Sequence, residues 1–413
     1  MENKINTDFE KTFKNLSLKN ELEFKKNNLE NFIKKGFPGK KIESWKFSDL
    51  NQIINRNIGE LNFFTDSAKK NNINRSLIVK NFEHNKIVFI NGKLEETDFN
   101  FEDKDKIQIS QGLMDQKNVF KENSLLNLNN AFCKHFYKIT IKTNYEMNKP
   151  LIVYHVTNKD INLTTVNSQL SFHLEKNSLL KIVDIYEDNS EKNFINTFYN
   201  FSLEENAVLK NFKIDNSQNN NIKYSFNNIE QEKNTISETF ILSNGSKFLK
   251  NEINCNLKGK YSSAFINGIF SLNSNKHHEI RTSVNHLVEN TKSYQLIKSV
   301  LDDKSKSVYQ GKIYVNPEAQ KTDGYQLSKC ILLDKNTEFN AKPELEIYAD
   351  DVKCSHGSAS GSLNEDSIFY LRSRGLNYKQ AKKLLIRGFF IDVIEKITDE
   401  EVKNYIKEIM EFN

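Results

Sequence analysis

A cysteine and a histidine two positions apart are the side chains of this sequence best suited to chemistry. Cys354 and His356 end the segment Lys342–Gly357, which is typical of a strand and also carries four acidic residues. Because side chains alternate faces along a strand, Cys354 and His356 point the same way. A thiolate beside an imidazole binds soft metals or part of an iron–sulfur cluster, but a cluster takes four ligands. The pair therefore predicts a shared site that needs ligands from elsewhere.

The acidic neighbours of this pair have opposite expected effects on its two members. A carboxylate of Asp350 or Asp351 near the imidazole favours its protonated form and orients the ring. The same charge near the thiol raises the pKa of Cys354 and works against thiolate chemistry. Lys353 lies on the opposite face of the strand, so it is not expected to compensate.

A second histidine-rich segment, His277–His286, is a weaker metal candidate. Strand parity places His278 and His286 on one face and Glu279 on the other, which argues against a compact site. We expect this segment to be structural.

The carboxylates Glu344 and Glu346 also share a strand face. Carbohydrate-active β-solenoids use paired carboxylates for acid–base chemistry. The sequence has no evident aromatic sugar platform and no secretion signal, so this function is kept only as an alternative.

Charge and composition exclude several classes of protein. The 413 residues include 59 basic and 54 acidic side chains, interleaved, for a net charge of +5. Nucleic-acid binding requires clustered basic residues, so none is expected. No apolar run approaches the ~20 residues that span a bilayer, and the four cysteines form no CxxC pair. We expect a cytoplasmic protein with reduced thiols and no membrane contact.

The periodicity of apolar residues divides the chain into three regions. Residues 1–75 predict an N-terminal helical region, with Trp45 as a buried anchor to the region after it. Residues 76–361 alternate with period two and predict many short strands. Residues 362–413 predict helices that begin at Ser362, Asn377 and Thr398.

A weak internal repeat predicts the arrangement of the strands. Leu174–Lys181 recurs as Leu203–Lys210, 29 residues later, with looser copies at 244–248 and 333–339. In each copy Asn or Gly marks a corner that needs left-handed backbone angles. Stacked strand–corner–strand units indicate a β-solenoid, although a β-sandwich stays open because the spacing is irregular.

Several of these segments together resemble one protein family. Lys342–Gly357, its continuation Ser362–Gly375, the segment Lys321–Leu327 and the GxP…ExWKxxDL pattern around Trp45 resemble the SufB/SufD family of iron–sulfur cluster assembly proteins, in its D-type branch. The resemblance implies a mainly β fold: a right-handed parallel β-helix core flanked by N-terminal and C-terminal α-helical regions. The B-type cluster-nucleating cysteine has no counterpart in Asn340–Pro343.

The resemblance also implies a function. The chain would be a non-catalytic scaffold of the SUF complex, pairing through its β-helix with a SufB-like paralogue and through its C-terminal helices with a SufC-like ABC ATPase. His356, and with it Cys354, would assist iron acquisition or cluster assembly at the paralogue interface, where iron or a cluster is transient and no cofactor is tightly bound by this chain. The expected ATPase-binding residues are Tyr370, Arg374, Leu384, Gly388 and Phe389.

Two observations from the residues support a scaffold that depends on partners. The sequence has no GxxxxGK[ST] motif, so ATP hydrolysis would belong to another subunit. Gly388 lies inside a predicted helix, where it costs about 1 kcal/mol relative to Ala unless another helix approaches closely. The alternatives are a carbohydrate-active β-solenoid and a self-associating structural solenoid, and a homodimer of the isolated chain stays open.

Overall fold

The computed structural model describes residues 2–14, 19–64, 79–112, 122–134 and 136–411. Its core is a parallel β-solenoid of about eight coils, with helices before, beside and after it, which confirms the predicted fold class. The predicted boundary between residues 75 and 76 lies outside the described residues.

Two sheets form opposite walls of the solenoid, because successive strands alternate between them. The nine-stranded sheet contains β3 (Ile107–Gly112), β4 (Phe136–Ile141), β6 (Thr165–Leu174), β8 (Phe194–Leu203), β10 (Ile222–Gln231), β12 (Phe248–Leu257), β14 (His277–His286), β16 (Lys306–Val315) and β18 (Glu338–Ile347). The ten-stranded sheet contains β1 (Asn85–Ile90), β2 (Lys93–Asp98), β5 (Leu151–Thr157), β7 (Leu179–Asp188), β9 (Val208–Asp215), β11 (Ile236–Ser243), β13 (Ser263–Leu272), β15 (Lys292–Leu301), β17 (Asp323–Leu332) and β19 (Lys353–Gly361).

The predicted 29-residue repeat is one coil of the solenoid. Leu174 on β6 pairs in parallel register with Leu203 on β8, so each repeat stacks on the next. Both leucines are buried in the cluster that fills the space between the sheets. Burying apolar surface in this way, coil on coil, is the main source of solenoid stability.

Asparagines occupy the corner that leads from the nine-stranded to the ten-stranded sheet. Asn144, Asn177, Asn206 and Asn234 have φ of 56°, 56°, 63° and 59° in successive coils, as the corner chemistry predicts. Their side chains hydrogen-bond to one another at 2.7–3.0 Å and form a ladder. The looser repeat copies at 244–248 and 333–339 are also corners between strands, as predicted, but they lie at the opposite corner of the coil and lack the predicted left-handed angles.

Helices cover the outer face of the nine-stranded sheet. They are α1 (Glu2–Phe13), α2 (Lys19–Lys35), α3 (Leu50–Asn57) and α4 (Ser124–Phe132), and α4 corrects the expectation of strands alone after residue 76. Trp45 is buried as predicted, with its ring 5.8 Å from that of Tyr224 and 6.4 Å from that of Phe248. The N-terminal region is therefore fixed to the solenoid wall.

Three described helices follow the last strand, and two of them pack on the outer face of the ten-stranded sheet. They are α5 (Glu365–Ser373), α6 (Tyr378–Ile394) and α7 (Glu400–Ile409), and α6 and α7 share a buried cluster with β9, β11, β13 and β15. Asn377 caps α6 as predicted, but Asn364 and Asp399, not Ser362 and Thr398, cap α5 and α7. Among the described helices, none has the length and apolar character needed to cross a membrane.

Candidate functional site

Cys354 and His356 lie on β19, the last strand of the ten-stranded sheet. In the parallel register Cys354 pairs with Gly324 of β17, and His356 pairs with Gln326. Gly324 and Gln326 are buried on the inner face of β17. Cys354 and His356 therefore both point toward the solenoid interior at its C-terminal end, on one face as the sequence predicts.

The thiol of Cys354 is half-buried over a glycine. A Cβ atom at Gly324 would come within 3.3 Å of the Cys354 Sγ, so the glycine leaves room for the sulfur. Burial raises the pKa of the Cys354 thiol, and the charge of Asp323 raises it further. The thiol is thus expected to be protonated until a metal or another cation binds it.

His356 is exposed, and it stands above a buried polar layer. The Tyr309 hydroxyl donates to Gln295 Oε1 at 3.0 Å and lies 3.4 Å from Gln326 Oε1, in the coils beneath His356. Gly311 allows this layer to form, because a Cβ atom there would overlap Gln326 and Tyr309. The imidazole therefore rests on ordered side chains while its outer side is open.

The carboxylate whose charge raises the pKa of the Cys354 thiol is not one of the two that the sequence predicted. Asp350 and Asp351 are exposed in the turn before β19, whereas the charge that acts on Cys354 belongs to Asp323 of β17. Asp323, Gly324 and Gln326 were missed as neighbours because they lie about one coil earlier in the sequence. Their signal was the segment Lys321–Leu327, which the family resemblance includes.

Cys354 and His356 are the two side chains of this site whose chemistry suits a metal. Among the residues that the structure describes, no group of three or more Cys, His, Asp or Glu side chains is placed to hold a metal ion. Two ligands do not complete an iron–sulfur cluster. Cluster chemistry at Cys354 and His356 therefore requires donors from a second molecule.

The second histidine segment is structural. His278 Nε2 donates to the Ser246 carbonyl at 2.7 Å, and His286 lies 2.7 Å from the Thr291 hydroxyl and 2.9 Å from that of Ser293. Both rings are buried, and burial lowers the pKa of each to about 4. Their nitrogens are used in hydrogen bonds inside the solenoid.

The paired carboxylates of β18 are engaged in ion pairs. Glu344 and Glu346 share the outer face, as expected, but Glu346 lies 2.8 Å from the Lys312 ammonium and Glu344 pairs with Lys342. Each carboxylate therefore has a lysine as its partner. In glycoside hydrolysis the two carboxyl groups must instead flank the scissile bond, so this arrangement does not favour carbohydrate cleavage.

The other cysteines are buried. Cys255 and Cys330 lie in the solenoid interior, where burial raises the pKa of each thiol to about 12. Cys133 is buried beside α4. Burial makes thiolate chemistry unfavourable at Cys255 and Cys330 and leaves Cys354 as the accessible cysteine.

The predicted ATPase-binding residues lie on α5 and α6, and four of the five are exposed. Tyr370 and Leu384 are 57% and 47% exposed, Arg374 stands over the Tyr370 ring, and no atom lies within 4 Å of a Cβ built on Gly388. Phe389 differs, because its ring packs under Lys298 of β15. Sequence reasoning missed three further exposed apolar side chains here: Phe369, Tyr378 and Ile391.

The chain is thus a parallel β-solenoid with helices on both walls and a Cys–His pair on the last described strand. The family described as "SUF system FeS cluster assembly, SufBD core domain" matches residues 155–389, more than half of the chain. This chain belongs to the SufBD family of the SUF iron–sulfur cluster assembly system.

Individual relatives agree with this assignment. The iron–sulfur cluster assembly protein SufD of Escherichia coli is 27% identical over 392 residues, which cover 92% of this chain and 89% of that protein. A SufBD family protein of Synechocystis is 53% identical over 58 residues, 14% of this chain and 13% of its own. The chloroplastic protein ABCI7 of Arabidopsis thaliana is 44% identical over 75 residues, 17% of this chain and 16% of its own. The chain is thus of the SufD type.

Proposed function

We propose that this chain is a non-catalytic scaffold that forms the SUF assembly complex with a SufB-like paralogue and a SufC-like ABC ATPase. In this role it assists iron acquisition and cluster assembly where the two β-solenoids meet. The observation that carries the proposal is the open C-terminal end of the solenoid, where β18 and β19 have no strand on their outer sides among the described residues.

The backbone of this end is arranged to pair with another strand. The Lys353 N–H donates to the carbonyl of Thr322, just before β17, and the Glu338 N–H donates to the carbonyl of Ser305, just before β16. Because bonding groups alternate sides along a parallel strand, the N–H groups of residues 354, 356 and 358 face outward on β19. Long unpaired edges of this kind are templates for strand addition, which favours a second solenoid as the partner.

His356 is at the position that such a pairing would enclose. Its main chain faces the open edge while its imidazole faces the interior above Gln326. A partner strand would bring its own side chains beside this imidazole, and a partner cysteine would add the thiolate that the site lacks. Iron or the nascent cluster is the cargo at this interface, and Cys354 is the second donor from this chain.

The exposed face of α5 and α6 is the proposed docking site for the ATPase. Tyr370, Arg374 and Leu384 supply apolar and cationic surface, and Gly388 lets a partner helix approach the α6 backbone. Phe389 contributes indirectly, because the contact of its ring with Lys298 attaches α6 to the solenoid. Movement of the ATPase would then be transmitted to the sheet that ends in His356.

Co-expression with the paralogue and the ATPase under anaerobic conditions tests this function. We expect a stable complex that contains iron and sulfide, and we expect His356→Ala to lose most of both while the subunits stay together. Ser358→Ala, two positions along the same face, is the matched control and should keep the wild-type content.

Two results would count against the proposal. Undiminished iron and sulfide in the His356→Ala complex would remove the role of the histidine. A chain that binds neither partner and forms only homo-oligomers through β18 and β19 would favour the self-associating solenoid.

A further inference from the structure

A groove of about 410 Å³ lies between α3 and the wall of the solenoid, far along the chain from Cys354 and His356. One side is formed by α3 and the segment before it. The other side is formed where β12, β14 and β16 begin, in three consecutive coils. We call it the α3 groove; its volume is in the range of small-molecule sites.

The α3 groove is strongly cationic. Its lining includes Lys40, Arg56, Lys247 and Lys306, against the single carboxylate of Asp49. Of the four cations only Lys306 has a carboxylate within ion-pair distance among the described residues, at 2.9 Å from Glu338. The Asp49 carboxylate is itself used to cap α3 through the Gln52 N–H.

These charges are not arranged to neutralise one another. Burial lowers the pKa of Lys247, the nearby charge of Arg56 lowers it further, and the charge of Asp303 partly offsets both. Asp303 forms no ion pair with Lys247 among the described residues, so the repulsion between the two cations raises the free energy of the groove. An anion bound between them would remove that repulsion.

A buried hydroxyl in the α3 groove lacks a partner. Ser48 is 2% exposed, and its Oγ has no hydrogen-bond partner among the described residues. Buried hydroxyls are nearly always hydrogen-bonded, so the Ser48 hydroxyl is available to a ligand or a water in the groove. Phe47 and Ile53 are half-buried in the same wall and add an apolar surface.

We propose that the α3 groove binds a small organic phosphate. Arg56, Lys247 and Lys306 hold the phosphate, the Ser48 hydroxyl donates to one of its oxygens, and Phe47 and Ile53 contact the apolar part. Arg and Lys are the side chains that recognise phosphate best, and their hydrogen bonds to it are charge-assisted. The scaffold role does not require this site, so each can fail without the other.

The ligand would also join two parts of the molecule. The Lys306 ammonium donates to the Phe47 carbonyl at 3.1 Å, and the neighbouring Lys250 donates to the Ser44 carbonyl at 2.8 Å. The segment before α3 is therefore held to the solenoid by lysines from the same wall. A phosphate on Lys306 and Arg56 would strengthen the same attachment and raise the thermal stability of the chain.

Titration calorimetry on the full chain with phenyl phosphate and inorganic phosphate tests the proposal. We expect saturable one-to-one binding of phenyl phosphate, tighter than that of inorganic phosphate because of the apolar wall. Arg56→Gln and Lys247→Gln should each weaken binding by about tenfold, through loss of a charge-assisted hydrogen bond. Lys41→Gln removes an exposed lysine close in sequence to the groove residue Lys40 and should leave binding unchanged.

Three results would overturn the proposal. The first is no saturable binding of either probe up to about 10 mM. The second is equal binding by wild type and both groove variants, or equal loss in Lys41→Gln, which would indicate general attraction to a basic surface. The third is equal affinity for the two probes, which would remove the organic part. Ser48→Ala, which keeps every charge, should weaken binding less than Arg56→Gln and provides an independent check.

Discussion

The two ends of the solenoid are built differently. At the N-terminal end the sheets finish in β2 and β3, two antiparallel strands of six residues, and β2 carries charged side chains. At the C-terminal end they finish in β18 and β19, which are parallel strands of ten and nine residues. A short, charged edge such as β2 is protected against pairing, and β18 carries charged side chains and Pro343 on its edge, whereas β19 is long and holds one charged residue, Lys353. The difference favours the C-terminal end as the one that pairs with a strand of a second molecule.

The interiors of the two ends differ in the same sense. At the N-terminal end Phe89 and Tyr137 are buried, and Phe89 stacks on His155, which is itself buried and paired with Asp184. In the last coils the corresponding space holds the buried Gln326 and the exposed His356. Polar groups that are buried and paired complete a fold, whereas an exposed imidazole keeps its hydrogen-bonding groups for a ligand or partner. The open end thus combines an edge that no described strand covers with Cys354 and His356, the two side chains proposed to bind iron or a cluster.

The largest expected effect comes from blocking the open edge. Ser358→Pro removes an outward-facing N–H from β19 and places the proline ring where a partner strand would lie, without disturbing the pairing with β17. We expect loss of the heteromeric complex with little change in the thermal stability of the isolated chain. Native mass spectrometry of the co-expressed proteins measures it.

Ser358→Ala keeps the N–H and is the control for that experiment. It should assemble like wild type. Normal assembly of Ser358→Pro would mean that the partner does not use this edge, and the contrast between the two ends would then have no functional meaning.

A matched pair of phenylalanines tests the contrast in packing. Phe89→Ala at the filled end should lower the free energy of unfolding by about 3–5 kcal/mol, because a buried ring leaves a cavity. Phe339→Ala at the open end removes a half-buried ring and should cost about 1 kcal/mol in the isolated chain. Urea denaturation of both variants measures the difference, and equal losses would show that the ends are equally packed.

The sequence predicted the repeating part of this molecule better than its ends. Leu174 and Leu203 occupy equivalent positions in successive coils. The sequence pattern around each leucine therefore repeats with the same period as its contacts in the interior. The open edge is not a local property, because β19 has the same alternation as an interior strand. The pairing of Cys354 with Gly324 joins residues one coil apart, which alternation alone does not specify.

Helix α4 is an element that the sequence did not predict. Its sequence, Ser124–Phe132, contains three asparagines, which disfavour a helix interior, and it falls within a region of period-two strands. Its stability comes from tertiary contacts: every one of its residues is buried, and Asn129 Nδ2 donates to the Asn196 carbonyl of β8 at 2.7 Å. Packing against the sheet overrides the weak local propensity, and no short window of sequence contains that information.

The next prediction concerns the pH dependence of the free energy of unfolding, to which two buried histidines contribute. The pKa of buried His278 and His286 is about 4 in the folded chain, against about 6.5 when unfolded. Between these values the unfolded chain binds more protons, so the free energy of unfolding falls as the pH falls from about 6.5 to 4. The slope is at most about 1.4 kcal/mol per pH unit for each histidine. Above pH 6.5 these two groups contribute no slope.

Urea denaturation at a series of pH values measures this slope. His286→Gln should remove about half of the slope that the two histidines together contribute. A slope that persists in full after His286→Gln would mean that protonation of this interior histidine does not limit stability in acid.

The smallest expected effect concerns the corners, where the two halves of the solenoid also differ. The asparagine ladder runs through the first coils and ends at Asn234, because the next corner holds Tyr261 with φ of 64°. Asn290 occupies the same corner in a later coil, with φ of 60° and no side-chain ladder bond among the described residues. Asn206 and Asn290 therefore share a backbone conformation but not a ladder.

Substitution of Asn206 and Asn290 by alanine separates the contribution of the left-handed backbone conformation from that of the ladder hydrogen bonds. Asn290→Ala loses only the tolerance of Asn for left-handed angles and should cost about 1 kcal/mol in the free energy of unfolding. Asn206→Ala also loses its hydrogen bonds to Asn177 and Asn234, of 2.7 and 3.0 Å, and should cost about 0.5–1 kcal/mol more. Because these bonds are exposed to water, the difference measured by urea denaturation will be small. Equal costs for the two variants would mean that the ladder adds nothing beyond the corner itself, and the early coils would then owe their stability to the apolar interior alone.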